Sequence, residues 1–174
     1  MGCREFLIGI VLLALACPLQ KASPTGFSDQ AAQAQISQPP VLAPEFPGFT
    51  VNVTFSESAK KKLVESKETV IVAGYLSGNP KKGALKRYVS EIGDVSLGTI
   101  EAEIAPGEIA KFGEVKLKED ARKQTDGADP QLLINVYSGR KSTQDNLLDC
   151  GIYEGSLESV QGKSIPIACK LIGE

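Results

Sequence analysis

Short segments of alternating apolar and polar residues, separated by turns, are the feature of this chain that most limits its fold. The clearest is FTVNVTF, residues 49–55, whose alternation gives one apolar and one polar face, as in a half-buried strand. Residues 69–77, TVIVAGYLS, are apolar on both faces, which indicates a strand in the middle of a sheet. Gly, Pro, Asn and Asp follow such segments, and no long helical pattern accompanies them. We therefore expect an all-β fold.

Two further segments follow the same pattern. Residues 99–104, TIEAEI, alternate, and the turn APG with the segment EIAKFGEVKL after it predicts a hairpin with a bulge at Gly113. Residues 131–138, QLLINVYS, predict another strand. The exception is SESAKKKLVES, where Ser56 is a suitable N-cap and the pattern predicts a short helical turn near residues 57–65.

The last predicted strand is SIPIACKLI, residues 164–172. One of its faces carries Ile165, Ile167, Cys169 and Leu171. Pro166 cannot donate a ladder hydrogen bond, so this strand should lie at a sheet edge or have its start there.

About seven short strands over residues 49–174 are typical of an antiparallel β-sandwich. The organisation resembles immunoglobulin-like or transthyretin-like domains at the level of the fold. The chain contains no Trp, so the Cys…Trp…Cys core of true immunoglobulin domains is excluded.

The N-terminus predicts export. LIGIVLLALA, residues 7–16, is too short to span a hydrocarbon core of about 30 Å as a helix, but has the length of a signal-peptide apolar region. ALA at 14–16 fits a cleavage site, so we expect a signal peptide over residues 1–16, with cleavage before Cys17 or at about residue 22. ALAC resembles the bacterial lipobox, which implies a lipidated Cys17 and membrane attachment through it. Residues 17–48, rich in Pro, Ala, Gln and Ser, predict a flexible linker.

The cysteines of the folded region predict a disulfide. Lipidation of Cys17, or its removal by later cleavage, leaves Cys150 and Cys169 as a pair. In an exported domain two such cysteines most often form a disulfide. A reactive thiol is disfavoured because the chain has no His to activate it, and a zinc site is disfavoured because two thiolates are too few ligands.

Composition excludes several functions. The absence of His removes Ser-His and Cys-His catalysis and the commonest metal ligand. A net charge of −2, no Trp and 6% aromatic residues argue against nucleic-acid binding. We therefore predict no catalytic residue, no cofactor and no metal site.

Two polar loops are the candidate contact sites for a protein or an anionic envelope partner. The first, PKKGALKR, carries Lys81, Lys82, Lys86 and Arg87. The second, GRKSTQDNLLD, carries Arg140 and Lys141 just before Cys150, and a disulfide at its base would make it rigid. The alternative for both is an ordinary solvated loop.

Four weaker patterns are interpreted as structural or accidental. DGADP, with Asp126 and Asp129 near Glu119 and Asp120, does not match the EF-hand spacing and fits a turn. Two S-x-x-K matches, Ser58 to Lys61 and Ser138 to Lys141, lack the other elements of penicillin-binding proteins. NVT is a glycosylation sequon at Asn52, relevant only in a secreting eukaryote.

These observations predict an exported bacterial envelope protein with a non-enzymatic binding or structural role. It would be a periplasmic or cell-envelope lipoprotein, or a secreted protein. The alternatives are a secreted inhibitor-like module and a carboxylate-dependent hydrolase. The hydrolase needs two acids converging at about 5–9 Å, whereas Glu101 and Glu103 share one strand face that should be solvated.

Overall fold

Eight strands form two four-stranded sheets in the computed structural model, which describes residues 46–174. The strands are β1 (Phe49–Phe55), β2 (Val70–Gly78), β3 (Val95–Ile104), β4 (Ile109–Phe112), β5 (Gln131–Ser138), β6 (Leu148–Cys150), β7 (Tyr153–Ser156) and β8 (Ser164–Leu171). The α-helices are α1 (Glu57–Glu65) and α2 (Glu119–Arg122). Single 3-10 turns occur at Lys86–Tyr88 and Glu158–Val160. The predicted signal peptide, Cys17 and residues 17–45 of the predicted linker lie outside the described residues.

The two sheets confirm the all-β sandwich. The first sheet has the order β4-β1-β8-β6 and the second the order β3-β2-β5-β7. Every pairing is antiparallel except that of β1 with β8, which is parallel. Apolar side chains from the inward faces of both sheets form one core. The structure has eight strands where about seven were expected, and the two short strands that follow β5, namely β6 and β7 of three and four residues, lie in different sheets.

β2 lies in the middle of the second sheet, as its doubly apolar sequence predicts. It pairs with β3 on one side and β5 on the other. β8 likewise lies inside the first sheet, between β1 and β6. Its neighbour β6 pairs only with residues 169–171 of β8, so Pro166 has a strand partner on the β1 side alone. The missing N–H of Pro166 is therefore tolerated although β8 is not an edge strand.

The predicted hairpin of β3 and β4 is wrong. β4 pairs with β1 in the first sheet, whereas β3 belongs to the second. The reason is in the side chains: Ala110 and Phe112 face the core, and the ring of Phe112 packs 5.0 Å from that of Phe49. No register shift occurs at Gly113; the shift lies in the β2–β3 ladder, between Leu76 and Ser77.

The helical turn and the disulfide are confirmed. Ser56 caps α1 by accepting a hydrogen bond from the Ala59 N–H at 3.2 Å. Cys150 and Cys169 are directly opposite on β6 and β8, with Cα atoms 4.1 Å apart, and form a disulfide. That distance is close to the ~4.5 Å of a non-hydrogen-bonded antiparallel pair. The disulfide is compatible with a location outside the cytoplasm.

Packing begins before β1. Phe46 is buried in the core, and its carbonyl accepts a hydrogen bond from the Val115 N–H at 3.0 Å. Within residues 46–174, neither helix has the length and apolar composition needed to cross a membrane.

Candidate functional site

The two candidate loops lie at opposite ends of the sandwich. Residues 79–94 follow the end of β2, while residues 139–147 follow β5, whose last residue, Ser138, pairs with Val70 at the start of β2. The nine residues of β2 separate them by about 25–30 Å at about 3.3 Å per residue. They cannot form one continuous contact surface.

A buried carboxylate, Glu68, holds the second loop in place. The side chain is only 2% exposed and lies just before β2. Its Oε1 accepts hydrogen bonds from the N–H groups of Thr69 at 3.1 Å and Lys141 at 2.8 Å. Its Oε2 accepts from the N–H of Ser142 at 2.8 Å and from the Ser142 hydroxyl at 2.6 Å. Four donors therefore converge on one carboxylate, and all but one belong to the loop.

The pKa of Glu68 reflects these contacts. Burial by itself raises the pKa, but the hydrogen bonds from the Ser142 hydroxyl and from the N–H groups of Lys141, Ser142 and Thr69 outweigh it. The pKa of Glu68 is lowered from 4.5 to about 2. The carboxylate is therefore ionised at neutral pH, when it accepts the loop N–H groups best.

The loop backbone takes a conformation that depends on this anchor. Arg140 has a φ of 58°, in the left-handed region that non-glycine residues rarely occupy. The Gly139 N–H donates to the Thr69 carbonyl at 2.8 Å, and a Cβ at Gly139 would collide with the Thr69 side chain. Such backbone conformations persist only when the surroundings hold them, and they concentrate at functional sites.

The other end of the loop is also held. The Asn146 Oδ1 accepts hydrogen bonds from the Ser138 N–H at 2.9 Å and the Leu148 N–H at 3.1 Å. The Ser138 hydroxyl in turn accepts from the Leu147 N–H at 2.9 Å. The loop is therefore ordered at both ends by side-chain contacts, independently of the disulfide.

Arg140 and Lys141 extend the outer face of the second sheet. The Arg140 guanidinium lies 5.9 Å from the centre of the Tyr137 ring. The Lys141 Nζ lies 2.9 Å from the Glu103 Oε1, a carboxylate that also accepts from the Thr69 hydroxyl at 2.7 Å. Those contacts, with Thr69 first and Lys141 second, lower the pKa of Glu103.

Two tyrosines and a third acid complete this surface. Tyr75 is 43% exposed, and Tyr137 is half-buried. Burial raises the pKa of Tyr137, and the nearby Glu101 and Tyr75 raise it further, so the phenol stays protonated at neutral pH. We call this surface the Tyr–Arg face, and its members are Tyr75, Glu101, Glu103, Tyr137, Arg140 and Lys141.

The first loop, residues 79–94, is a less selective candidate for ligand binding than the second. Lys82 and Lys86 are exposed, while the Lys81 Nζ donates to the Lys123 carbonyl at 2.6 Å. Arg87 lies 5.0 Å from the centre of the Tyr88 ring. Arg87 also lines a cleft of ≈ 590 Å³, together with Tyr88, Ser96, Lys118, Glu119, Asp120 and Ala121. Because acids and bases both line the cleft, it shows no preference for an anion.

The acids of the DGADP region are engaged in local contacts. Asp126 Oδ1 accepts from the Ala128 N–H at 3.0 Å, as in an Asx turn, and Asp129 accepts from the Ser156 hydroxyl. Asp120 lies 3.4 Å from the Lys123 Nζ, and Glu119 lies in the first turn of α2. Within the part of the chain that the structure describes, no three acids or cysteines are grouped as metal ligands.

The remaining patterns are dispersed. Ser58 and Lys61 lie on exposed positions of α1. Ser138 is buried and bonded to Asn146, whereas Lys141 pairs with Glu103, so the second S-x-x-K match brings no lysine to its serine. Asn52 is exposed on the outer face of the first sheet.

Sequence reasoning missed three residues of the site, namely Glu68, Tyr75 and Tyr137. Glu68 stands in ESKETV, where nothing distinguishes it from its exposed neighbours. The apolar sequence on both faces of β2 did not indicate that Tyr75 is exposed, although Tyr75 alternates with the inward Gly74 and Leu76. Tyr137 could have been placed on an outward face from the alternation in β5 alone.

No protein-family model matches the chain, and no curated protein and no solved structure gives a significant match.

Proposed function

We propose that this chain is an exported, non-enzymatic binding module of a bacterial cell envelope, and that it contacts a partner protein through the Tyr–Arg face. The observation that carries the proposal is the anchoring of Lys141 and Ser142, which directly follow Arg140, by the buried Glu68. An ordinary solvated loop needs neither four hydrogen bonds to one buried side chain nor a non-glycine residue at positive φ, which is a strained conformation.

The composition of the face supports protein recognition. Tyr and Arg are enriched among the residues that dominate protein–protein binding energy. Tyr brings a large contact area with few rotatable bonds, and Arg brings a planar guanidinium that donates several hydrogen bonds in a fixed geometry. A loop already held in one conformation loses little entropy on binding. The exposed Tyr75, and Arg140 above the Tyr137 ring, are therefore the residues we expect to contribute most.

The hydrolase alternative has little support at this face. Glu101 and Glu103 are both exposed on one edge strand. The lowered pKa of Glu103 is opposite to what a general acid needs. The inhibitor-like alternative has one observation in its favour, the turn at residues 90–94, where Ile92 is 87% exposed. Loss of target binding in an Ile92→Ser variant would be its signature.

Export is tested by intact mass. We expect the mature protein to lack residues 1–16, with Cys17 either lipidated or removed by later cleavage. An unmodified N-terminal Cys17, or a mature chain that keeps residues 1–16, would contradict this part of the proposal.

The contact surface is tested by site-specific photo-crosslinking in the source cells. A photoreactive residue at position 75 should crosslink one defined protein, and an added Arg140→Ala substitution should abolish that product. Position 52, which is exposed on the outer face of the other sheet, is the matched control and should not give it. Equal crosslinking from positions 75 and 52, or none from 75, would refute the Tyr–Arg face as the contact surface.

A further inference from the structure

The second sheet ends in one unusually long outer strand. β3 has 10 residues, whereas the other outer strands, β4, β6 and β7, have four, three and four. Proteins usually keep outer strands short or covered, because their unpaired N–H and C=O groups can bind another strand. The length of β3 is therefore an exception within this fold.

Only the first part of the β3 edge is covered. Val89 forms a bridge with Val95, and the Lys118 N–H donates to the Leu97 carbonyl at 2.8 Å. Beyond Gly98, no strand within residues 46–174 pairs with the side of β3 that faces away from β2. Among the described residues, the backbone groups of residues 99–104 that face away from β2 therefore have no strand partner.

The side chains along this stretch alternate in chemistry as well as in direction. Glu101 and Glu103 are exposed on the outer face, while Ile100 and Ala102 are half-buried and pack against the core. A strand added here would place every second side chain beside the glutamates and the others beside Ile100 and Ala102. The complementary strand has basic residues alternating with apolar ones.

We propose that residues 99–104 bind an extended segment of the partner protein, with alternating basic and apolar residues, as a fifth strand of the sheet. The inference rests on the proposed binding function and names the segment by which the partner docks. A second copy of this chain is a poor occupant, because antiparallel pairing of two β3 strands with matching faces would bring Glu101 and Glu103 beside the same acids.

The Lys141–Glu103 pair does not prevent this docking. Both side chains are about half exposed, at 53% and 43%, so water already competes for the contact. A lysine or arginine of the added strand can share the Glu103 carboxylate, or Lys141 can turn aside at little cost. The Tyr–Arg face then flanks the bound segment.

The test measures binding of short synthetic peptides by fluorescence anisotropy. The probe is a labelled, capped hexapeptide of alternating Lys and Val, compared with the same peptide in which Glu replaces Lys. We expect the wild-type protein to bind the Lys peptide. In the Glu101→Lys/Glu103→Lys variant, affinity for the Lys peptide should fall about tenfold or more and the Glu peptide should bind instead.

Two controls separate strand addition from general charge attraction. Glu154→Lys/Glu158→Lys makes the same change of charge at β7 and the turn after it, the opposite edge of the sheet, and should leave binding unchanged. A Lys peptide with N-methyl groups on every backbone amide keeps its charge but loses its ladder donors on both edges. It should not bind the wild-type protein, a result that does not depend on the folding of any variant.

The outcomes are distinct. Equal binding of the N-methylated peptide, an equal loss in the β7 variant, or no binding of the Lys peptide would overturn strand addition. If strand addition is overturned but crosslinking from position 75 persists, the proposed binding function stands without strand addition. If the peptide binds as expected but position 75 gives no crosslink, the β3 edge with Glu101 and Glu103 is the contact surface and Tyr75 does not take part in it.

Discussion

Replacing Glu68 by Gln is the most informative perturbation of this fold. The amide of Gln keeps the size of the side chain, but its NH₂ group then faces the N–H donors that the carboxylate accepts. The lowering of the pKa of Glu68 from 4.5 to about 2 corresponds to about 3 kcal/mol, since each pKa unit is worth about 1.4 kcal/mol. Allowing for solvent near this surface loop, we expect a loss of about 2–3 kcal/mol in the free energy of unfolding at pH 7.

The same substitution predicts a specific pH dependence. The folded pKa of Glu68 is lowered, so its stabilisation is fully present above pH 4.5 and is lost as the pH falls toward about 2. Urea unfolding of both proteins at pH 7, 4 and 3 measures this directly. The difference in the free energy of unfolding between wild type and Glu68→Gln should shrink through that range. Both proteins contain Glu103 and Glu174, whose pKa values are also lowered, so the contributions of these two carboxylates cancel in the difference.

Glu103→Gln is the matched control. Glu103 also accepts hydrogen bonds near the loop, but it is exposed, so its replacement should change stability much less. A Glu68→Gln protein no less stable than Glu103→Gln, or a stability difference that stays constant from pH 7 to 3, would refute the account of Glu68 as a buried, ionised anchor.

Three further substitutions test the scaffold. Cys150→Ser/Cys169→Ser should lower the free energy of unfolding by about 3 kcal/mol, because the disulfide closes a loop of about 20 residues in the unfolded chain; unchanged urea midpoints would contradict this. Ser56→Ala should cost about 1 kcal/mol in the same assay through loss of the α1 cap, against a smaller loss for Ser58→Ala, whose hydroxyl contacts that of Ser56 but does not cap the helix. Leu63→Ala should cost about 2–5 kcal/mol because the side chain is 0% exposed, and thermal unfolding that matches wild type would show that α1 does not pack as described.

Much of the fold could be predicted from the sequence because strands are encoded by local alternation. β1, β5 and β8 and the helix after Ser56 lie where the pattern puts them. The disulfide could be predicted too, since the expected export and the parity of the cysteines leave one pair. In each case neighbouring residues, or a simple count, carry the information.

The tertiary structure alone decided which strands pair and which loops meet. β4 joins β1 rather than β3, because Phe112 finds its packing partner in Phe49, 63 positions earlier in the chain. Glu68 anchors Lys141 and Ser142 across a sequence separation of 73 and 74 residues, which no local pattern reports. The alternation of side chains determined that this chain forms strands, whereas contacts between distant residues determined the Tyr–Arg face and the open edge of β3 beside it.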